Sequence, residues 1–251
     1  MRIAIAGGTG AVGTHTVRAA ERAGHEVVVL SRRSGVDLVA GRGLDLSGVD
    51  AVIDVSGTST TSAARAQGFF EAVTSTLHRA EREANVGHHV ALSIVGAAAA
   101  PHGYYAGKAV QERAVAAGPV PWTILRATQF FEFAEQVAVP LGAWRIVPAM
   151  RSQPVAAASV GARLVRLAEQ GPVGDAPDLA GPREMRMAEL LRAVSAARGR
   201  AARVIELPLP GGFGRALRNG AVLPGPEAQL DAVTVEEWLA GVRSGGGGSG
   251  A

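Results

Sequence analysis

The chain has 251 residues, 47% of them apolar and 19% charged, enough to bury the core of one large domain or of one domain with a small appended lobe. That apolar content excludes a disordered chain, the lack of a Gly period excludes collagen, and the absence of any cysteine excludes a disulfide scaffold, thiol catalysis and Cys-ligated metal. The formal net charge is only +3, and arginines are spread from Arg2 to Arg243 with no run longer than Arg32-Arg33, so the clustered footprint of a nucleic-acid binder is missing.

In chain order, Arg2 to Ala6 reads as a buried strand, Ala11 to Ala23 as a helix with Arg18, Glu21 and Arg22 on its wet side, and Glu26 to Leu30 as a second buried strand. Together they predict a βαβ unit. Short β-like runs follow at Val36 to Val39, Ala51 to Val55, His89 to Ser93 and Trp122 to Leu125, with helices at about Ala63 to Ala84 and Ala106 to Ala117. The strands are continuously apolar rather than alternating, which predicts a parallel sheet covered on both faces. Beyond Arg126, Pro and Gly become frequent and predict a smaller, irregular lobe. Its expected helices are Ser159 to Glu169, Met187 to Arg198 and Thr234 to Gly241, the last opened by a capping box of Thr234 and Glu237. The expected fold class is therefore α/β, a doubly wound parallel sheet with a small irregular C-terminal substrate lobe. One domain is expected over residues 1–243, its core about 1–130 and its lobe about 131–243. Residues 244–251 read as a flexible Gly/Ser tail appended to the fold. No stretch reaches the roughly 18 apolar residues of a membrane span, and the glycines right after the first strand do not fit a signal peptide. The expectation is a soluble cytoplasmic protein, a monomer or homodimer, that binds a small molecule and neither membrane nor nucleic acid.

The strongest local motif is Gly7-Gly8-Thr9-Gly10-Ala11-Val12-Gly13 between the first strand and the first helix. Glycines there let the backbone turn tightly and approach a pyrophosphate, while the helix N-terminus offers free N–H groups and a partial positive charge. At the end of the second strand, where a protein preferring NAD places an acidic residue for the ribose hydroxyl, stand Ser31-Arg32-Arg33. A hydroxyl and two guanidinium groups suit a 2′-phosphate instead, so NADP (as NADPH) is the expected cofactor.

The chain holds 25 lysines and arginines, and only Lys108 is lysine. It falls four residues after Tyr104, in Tyr-x-x-x-Lys spacing, which on a helix stacks the two on one face. A tyrosine can give a proton to a carbonyl as hydride arrives if a nearby cation lowers its pKa. Ser93, at the end of the preceding strand, is the candidate to polarise the carbonyl or position Tyr104. The catalytic set read from the sequence is thus Tyr104, Lys108 and Ser93.

These motifs, with Asp54-Val-Ser-Gly57, Leu92-Ser-Ile-Val-Gly96 and Trp122-Thr-Ile-Leu-Arg-Ala-Thr-Gln-Phe130, resemble the NmrA-like, atypical branch of the short-chain dehydrogenase/reductase superfamily. The resemblance covers about Met1 to Phe133 well and the rest loosely. It implies a Rossmann fold binding NAD(P) across the strand ends, with Asp37-Leu38 near the adenine, Val55-Ser56-Gly57 along the cofactor and Ala127-Thr128-Gln129-Phe130 near the nicotinamide. It further implies that Lys108 holds the nicotinamide ribose. Members of that branch include quinone and other carbonyl reductases, and also regulators that bind the dinucleotide and catalyse nothing. Two departures stand out. Ser93-Ile94 occupies the place of two successive serines, and only Ser34-Gly35 separates Arg33 from Val36, which nearly deletes the helix between strands two and three.

Phe130, Phe133 and Trp144 are the expected lining of an apolar substrate cleft. The six histidines show no metal-binding spacing, and no metal site is expected. The function expected is an NADPH-dependent oxidoreductase delivering hydride to a carbonyl, quinone or similar hydrophobic acceptor. The alternatives are a redox-neutral epimerase or lyase on the same residues, and a dinucleotide sensor without catalysis.

Overall fold

A computed structural model of the chain describes residues 1–200 and 202–245. It divides into two compact units, one of Met1–Ala127 with Ala157–Pro177, the other of Thr128–Ala156 with the chain from Asp178 onward. The first unit opens with β1 (Arg2–Ala6), α1 (Gly13–Arg22), β2 (Glu26–Leu30), β3 (Ala51–Asp54), α2 (Ala63–Ala84), β4 (His88–Ile94), α3 (Tyr104–Ala116) and β5 (Trp122–Ala127). These strands are all parallel, in the order β5-β4-β3-β1-β2. β3 is wholly buried and β4 is buried up to its last residue, so both faces must be covered, and the continuous apolar character of the sequence reflects that.

α2 starts where the Ser62 hydroxyl accepts the Arg65 N–H and ends where Asn85 turns left-handed, both ordinary terminal devices. Its buried stripe includes Ala66, Phe70, Val73 and Leu77, spaced for one helical face. Val73 and Leu77 pack with Ala4, Ala6 and Val52 of the sheet.

The strand predicted at Val36–Val39 does not form. A 3-10 turn over Arg32–Ser34 leads into Gly35, at a φ of 83°, and Asp37 then bridges antiparallel to Arg42. The Asp37 carboxylate accepts the Ala40 N–H and the Arg42 guanidinium. Val36 and Leu38 are apolar because they dip into the core beside Leu46 and Val49, which explains why the segment looked like a strand. The missing crossover helix is replaced by this turn.

The chain then enters the second unit with α4 (Phe133–Gln136), β6 (Val139–Leu141), β7 (Trp144–Pro148) and β8 (Arg151–Ser152). It returns to the first unit for α5 (Ala157–Gln170), which packs against α1 and the sheet, and for β9 (Gly174–Asp175), which pairs parallel with β5. The sequence placed this helix in the lobe; its buried stripe of Val160, Leu164, Val165 and Leu167 belongs to the sheet's core instead. The second unit resumes with β10 (Leu179–Ala180), β11 (Met185–Arg186), α6 (Met187–Ala197), β12 (Arg203–Leu207), α7 (Gly211–Asn219), β13 (Gln229–Leu230) and α8 (Val235–Gly245). β7 lies between β6 and β12, β8 pairs with β11, and β10 with β13. Phe131 is buried against the Trp238 ring at 5.3 Å. Thr234 and Glu237 form the predicted capping box, the Thr234 N–H donating to the carboxylate and the Glu237 N–H to the Thr234 hydroxyl. Of the expected Gly/Ser tail, residues 246–251 lie outside the described residues. No helix among the described residues is long and apolar enough to cross a membrane.

Candidate functional site

With β2 on one side of β1 and β3 on the other, the order reverses at β1, and the crevice outside the strand ends there is where open α/β sheets take ligands. The Gly7–Gly13 turn lies in that crevice. Gly7 has a φ of 78°, and a Cβ on it would come within 2.8 Å of the Ser56 backbone. A Cβ on Gly13 would meet the Gly7 carbonyl oxygen at 2.1 Å and the Gly8 backbone at 2.7 Å. Any side chain at either position would push the turn open, so the glycines are demanded by close backbone approach. Val12 and Gly13 are buried, while Thr9, Gly10 and Ala11 are exposed at the mouth of α1. The result is a shallow cradle whose backbone N–H groups and helix dipole favour an anion.

At the end of β2, Ser31 caps the 3-10 turn, its hydroxyl accepting the Ser34 N–H and its own N–H donating to the Ser34 hydroxyl. Its predicted contact to a 2′-phosphate is therefore secondary to a structural duty. Arg32 and Arg33 are both exposed, and neither has a carboxylate partner among the described residues. Asp37 is held by Arg42 and Ala40, and Leu38 is buried in the core. The predicted adenine contact of these two gives way to a turn-forming and a packing role.

After β3 the chain runs Val55-Ser56-Gly57 and then five successive hydroxyl residues, Thr58 to Ser62. Ser56 lies against Gly7, its N–H donates to the Asp54 carboxylate at 2.8 Å, and its own hydroxyl is buried without a hydrogen-bond partner. The next residue, Gly57, has its Cβ direction filled by the Tyr104 hydroxyl, 3.3 Å away. Tyr104 is the first residue of α3, half-buried, with its ring edge-on to Phe70 at 5.6 Å. Burial pushes its phenol well above the usual tyrosine range, and the Asp54 carboxylate adds to that.

Lys108 is buried, as its position one turn after Tyr104 on the inner face of α3 requires. Its ammonium donates to the Leu92 carbonyl and to Gln111 Oε1, both at 2.8 Å, and stands 4.3 Å from the Phe70 ring centre and 5.8 Å from that of Tyr104. Gln111 in turn donates to Asp54 at 2.7 Å. Burial pulls the ammonium down to about 8, against the opposing pull of the Asp54 and Glu112 carboxylates. Lys108 thus sits beneath the phenol as a fixed charge, not as an open arm toward a ribose. Asp54 and Gln111 are the residues sequence reasoning missed. A polar Gln three residues after the lysine, on the same helical face, was the available signal.

Ser93 is not part of this group. Its hydroxyl donates to Glu112 at 2.5 Å, and Glu112 is itself clasped by Arg126. Glu112 lies eight residues after Tyr104, about 12 Å along the helix, so the Ser-Tyr-Lys triad is not assembled. Ala127 and Thr128 are buried; the Thr128 hydroxyl donates to the Gln153 carbonyl and its N–H to Leu179. Phe130 pairs with Val155 in an isolated bridge and is half-buried, as is Phe133. Trp144 is 42% exposed with Arg203 over its ring at 5.7 Å; it is a surface stack on β7, contrary to its expected place in a pocket wall.

The parallel order and the Gly-rich turn at its reversal define a Rossmann-type α/β fold. Residues 3–98 match the model of the NAD dependent epimerase/dehydratase family. Among solved structures, the chain is similar to UDP-glucose 4-epimerase from Bifidobacterium longum in complex with NAD+ and UDP, with 15% identity over 97% of both chains and a TM-score of 0.70. It is similar to TunA, an NAD-dependent NDP-hexosamine 5,6-dehydratase of tunicamycin biosynthesis, with 17% identity over 97% of this chain and 98% of the other and a TM-score of 0.71. A short-chain dehydrogenase/reductase superfamily protein from Agrobacterium tumefaciens with bound NAD gives 18% identity over 97% and 96%, with a TM-score of 0.67. At these identities the likeness establishes the fold. A search of curated protein sequences finds no match.

Proposed function

We propose that the chain is an NADPH-dependent enzyme of the short-chain dehydrogenase/reductase type, of its NmrA-like branch, that reduces a carbonyl, quinone or similar hydrophobic small molecule. The observation that carries this reading is one pair of neighbours, since Ser56 packs on the Gly7 turn while Gly57 abuts the Tyr104 hydroxyl. An anion cradle and a proton-bearing phenol thus meet at adjacent residues of one loop. When bound, NADPH supplies the hydride. The backbone N–H groups of Thr9 and Ala11 at the start of α1 hold the pyrophosphate, and Arg32 and Arg33 hold the 2′-phosphate. Tyr104, held protonated by burial, delivers its proton to the oxygen of the accepting carbonyl. Lys108 offsets the negative charge left on the phenolate from beneath the ring.

The test is turnover of a panel of quinones and aldehydes, followed by loss of NADPH absorbance, in wild type and Tyr104→Phe. One NADPH is expected to disappear per product. The variant should lose roughly 100-fold or more in kcat with NADPH affinity changed less than about twofold. If no member of the panel consumes NADPH and the two proteins behave alike, a dinucleotide sensor is the surviving reading. The likeness to the epimerases and the dehydratase supports a second reading, a redox-neutral reaction at the same phenol. It would show as conversion of a sugar nucleotide without net NADPH consumption.

A further inference from the structure

A second polar cluster lies inside the first unit and takes no part in the chemistry above. His78 and Glu81 stand three residues apart on α2 and so share a face, and β4 presents His89 to that face. The Glu81 carboxylate and the His89 imidazole are both fully buried and meet at 2.6 Å through Oε1 and Nδ1. The His78 ring stands edge-on to that of His89, with centres 5.3 Å apart. One donor atom from each of the three residues lies within 4.8 Å of the other two. The pairing leaves two polar atoms unsatisfied, because Glu81 Oε2 and His89 Nε2 are buried with no hydrogen-bond partner. A buried polar atom without a partner is destabilising, and here two occur within one cluster of three metal-ligating side chains.

We propose that His78, Glu81 and His89 bind a divalent transition-metal ion of the zinc class. Two imidazoles and a carboxylate are the donor set such borderline ions prefer over the all-oxygen set of calcium or magnesium. Bond lengths of about 2.0–2.2 Å to these donors require them to stand closer than the present outer separation. The adjustment falls on His78, the only one of the three that is partly exposed, and solvent for the fourth position enters from its side. The carboxylate oxygen that lacks a partner gains one in the ion. The bound metal clamps α2 to β4, the strand whose Leu92 carbonyl anchors Lys108. The spacing along the chain gave no hint of this, because the third donor arrives from a different element.

Zinc sulfate titrated into the metal-stripped full chain, free of any histidine tag and followed by calorimetry and thermal unfolding, tests the proposal. One equivalent is expected to bind with a rise in Tm. His78→Ala, which removes the half-buried donor and leaves the buried pair, should weaken zinc binding at least tenfold while its metal-free Tm stays near that of the wild type. Glu81→Gln should likewise weaken zinc binding at least tenfold. Absence of stoichiometric zinc binding in the wild type would overturn the proposal, as would equal zinc binding by wild type and His78→Ala.

Discussion

The first βαβ unit and the β4–α3 unit flank the same crevice, yet they work by different means. Between β1 and α1 the chemistry is carried by the backbone, through glycines forced by close approach and by N–H groups that point where the helix begins. Along α3 it is carried by side chains on one stripe, Tyr104, Lys108 and Glu112, and each has a different partner: Gly57 and Phe70, Leu92 and Gln111, Ser93 and Arg126. A backbone site tolerates almost no choice once the glycines are in place. A side-chain site depends on which of several neighbours each group reaches, and here the serine reached away from the phenol.

Three measurements sharpen that contrast. The largest effect belongs to the nucleotide side. Replacing Arg32 and Arg33 together with Ala removes charge-assisted bonds of roughly 1.5–3 kcal/mol each, so the Kd for NADPH should rise by about a hundredfold or more while that for NADH barely moves. Equal losses for both nucleotides would reassign the two arginines to a solvated loop.

A pH series probes the acid-base side. Because burial brings Lys108 down to about 8, kcat should fall as pH rises through that value and the ammonium loses its charge. Stability should move the other way. The unfolded lysine keeps its proton up to its ordinary value while the folded one has released it, so the unfolded state binds more protons between pH 8 and 10 and the residue's contribution to stability rises across that window. Urea midpoints of wild type should therefore climb relative to Lys108→Met over that range. A flat difference would mean that the ammonium is not held as deeply as its contacts indicate.

The smallest effect is expected at Ser93. Ser93→Ala loses a hydrogen bond to Glu112, worth about 1–2 kcal/mol of stability, and should leave turnover within about threefold of wild type. A hundredfold loss in kcat would return the serine to the proton-transfer group.

Much of the first unit was legible. Arg2–Ala6 and Glu26–Leu30 form strands with the bounds read from their apolar runs, α2 spans Ala63–Ala84 as its pattern indicates, and the Gly motif falls at the strand-to-helix turn. Local pattern was strong enough at these places because the burial of both sheet faces imposes it. Val36–Val39 misled for the same reason: Val36 and Leu38 are buried in the core, but left-handed glycines at 35, 41 and 43 make the chain turn instead of extend. The short strands β6 and β7 escaped notice because Pro140 and Pro148 interrupt their pattern. Trp144 shows the limit of arguing from residue type, since a large apolar ring on β7 can be stacked under Arg203 at the surface as readily as it can line a cleft.

The sequence by itself determined the parallel α/β fold class, the glycine-rich strand-to-helix turn and the Tyr104–Lys108 stripe, because each is encoded within a few consecutive residues by periodicity, by glycine or by helical spacing. Only the tertiary structure decided what meets across the sheet. It joined Ser56 to Gly7 and Gly57 to Tyr104, tied Lys108 through Gln111 to Asp54, turned Ser93 toward Glu112, and gathered His78, Glu81 and His89. Those contacts join residues from separate elements, and their partners are fixed by packing and rotamer choice in the folded core, which no local pattern records.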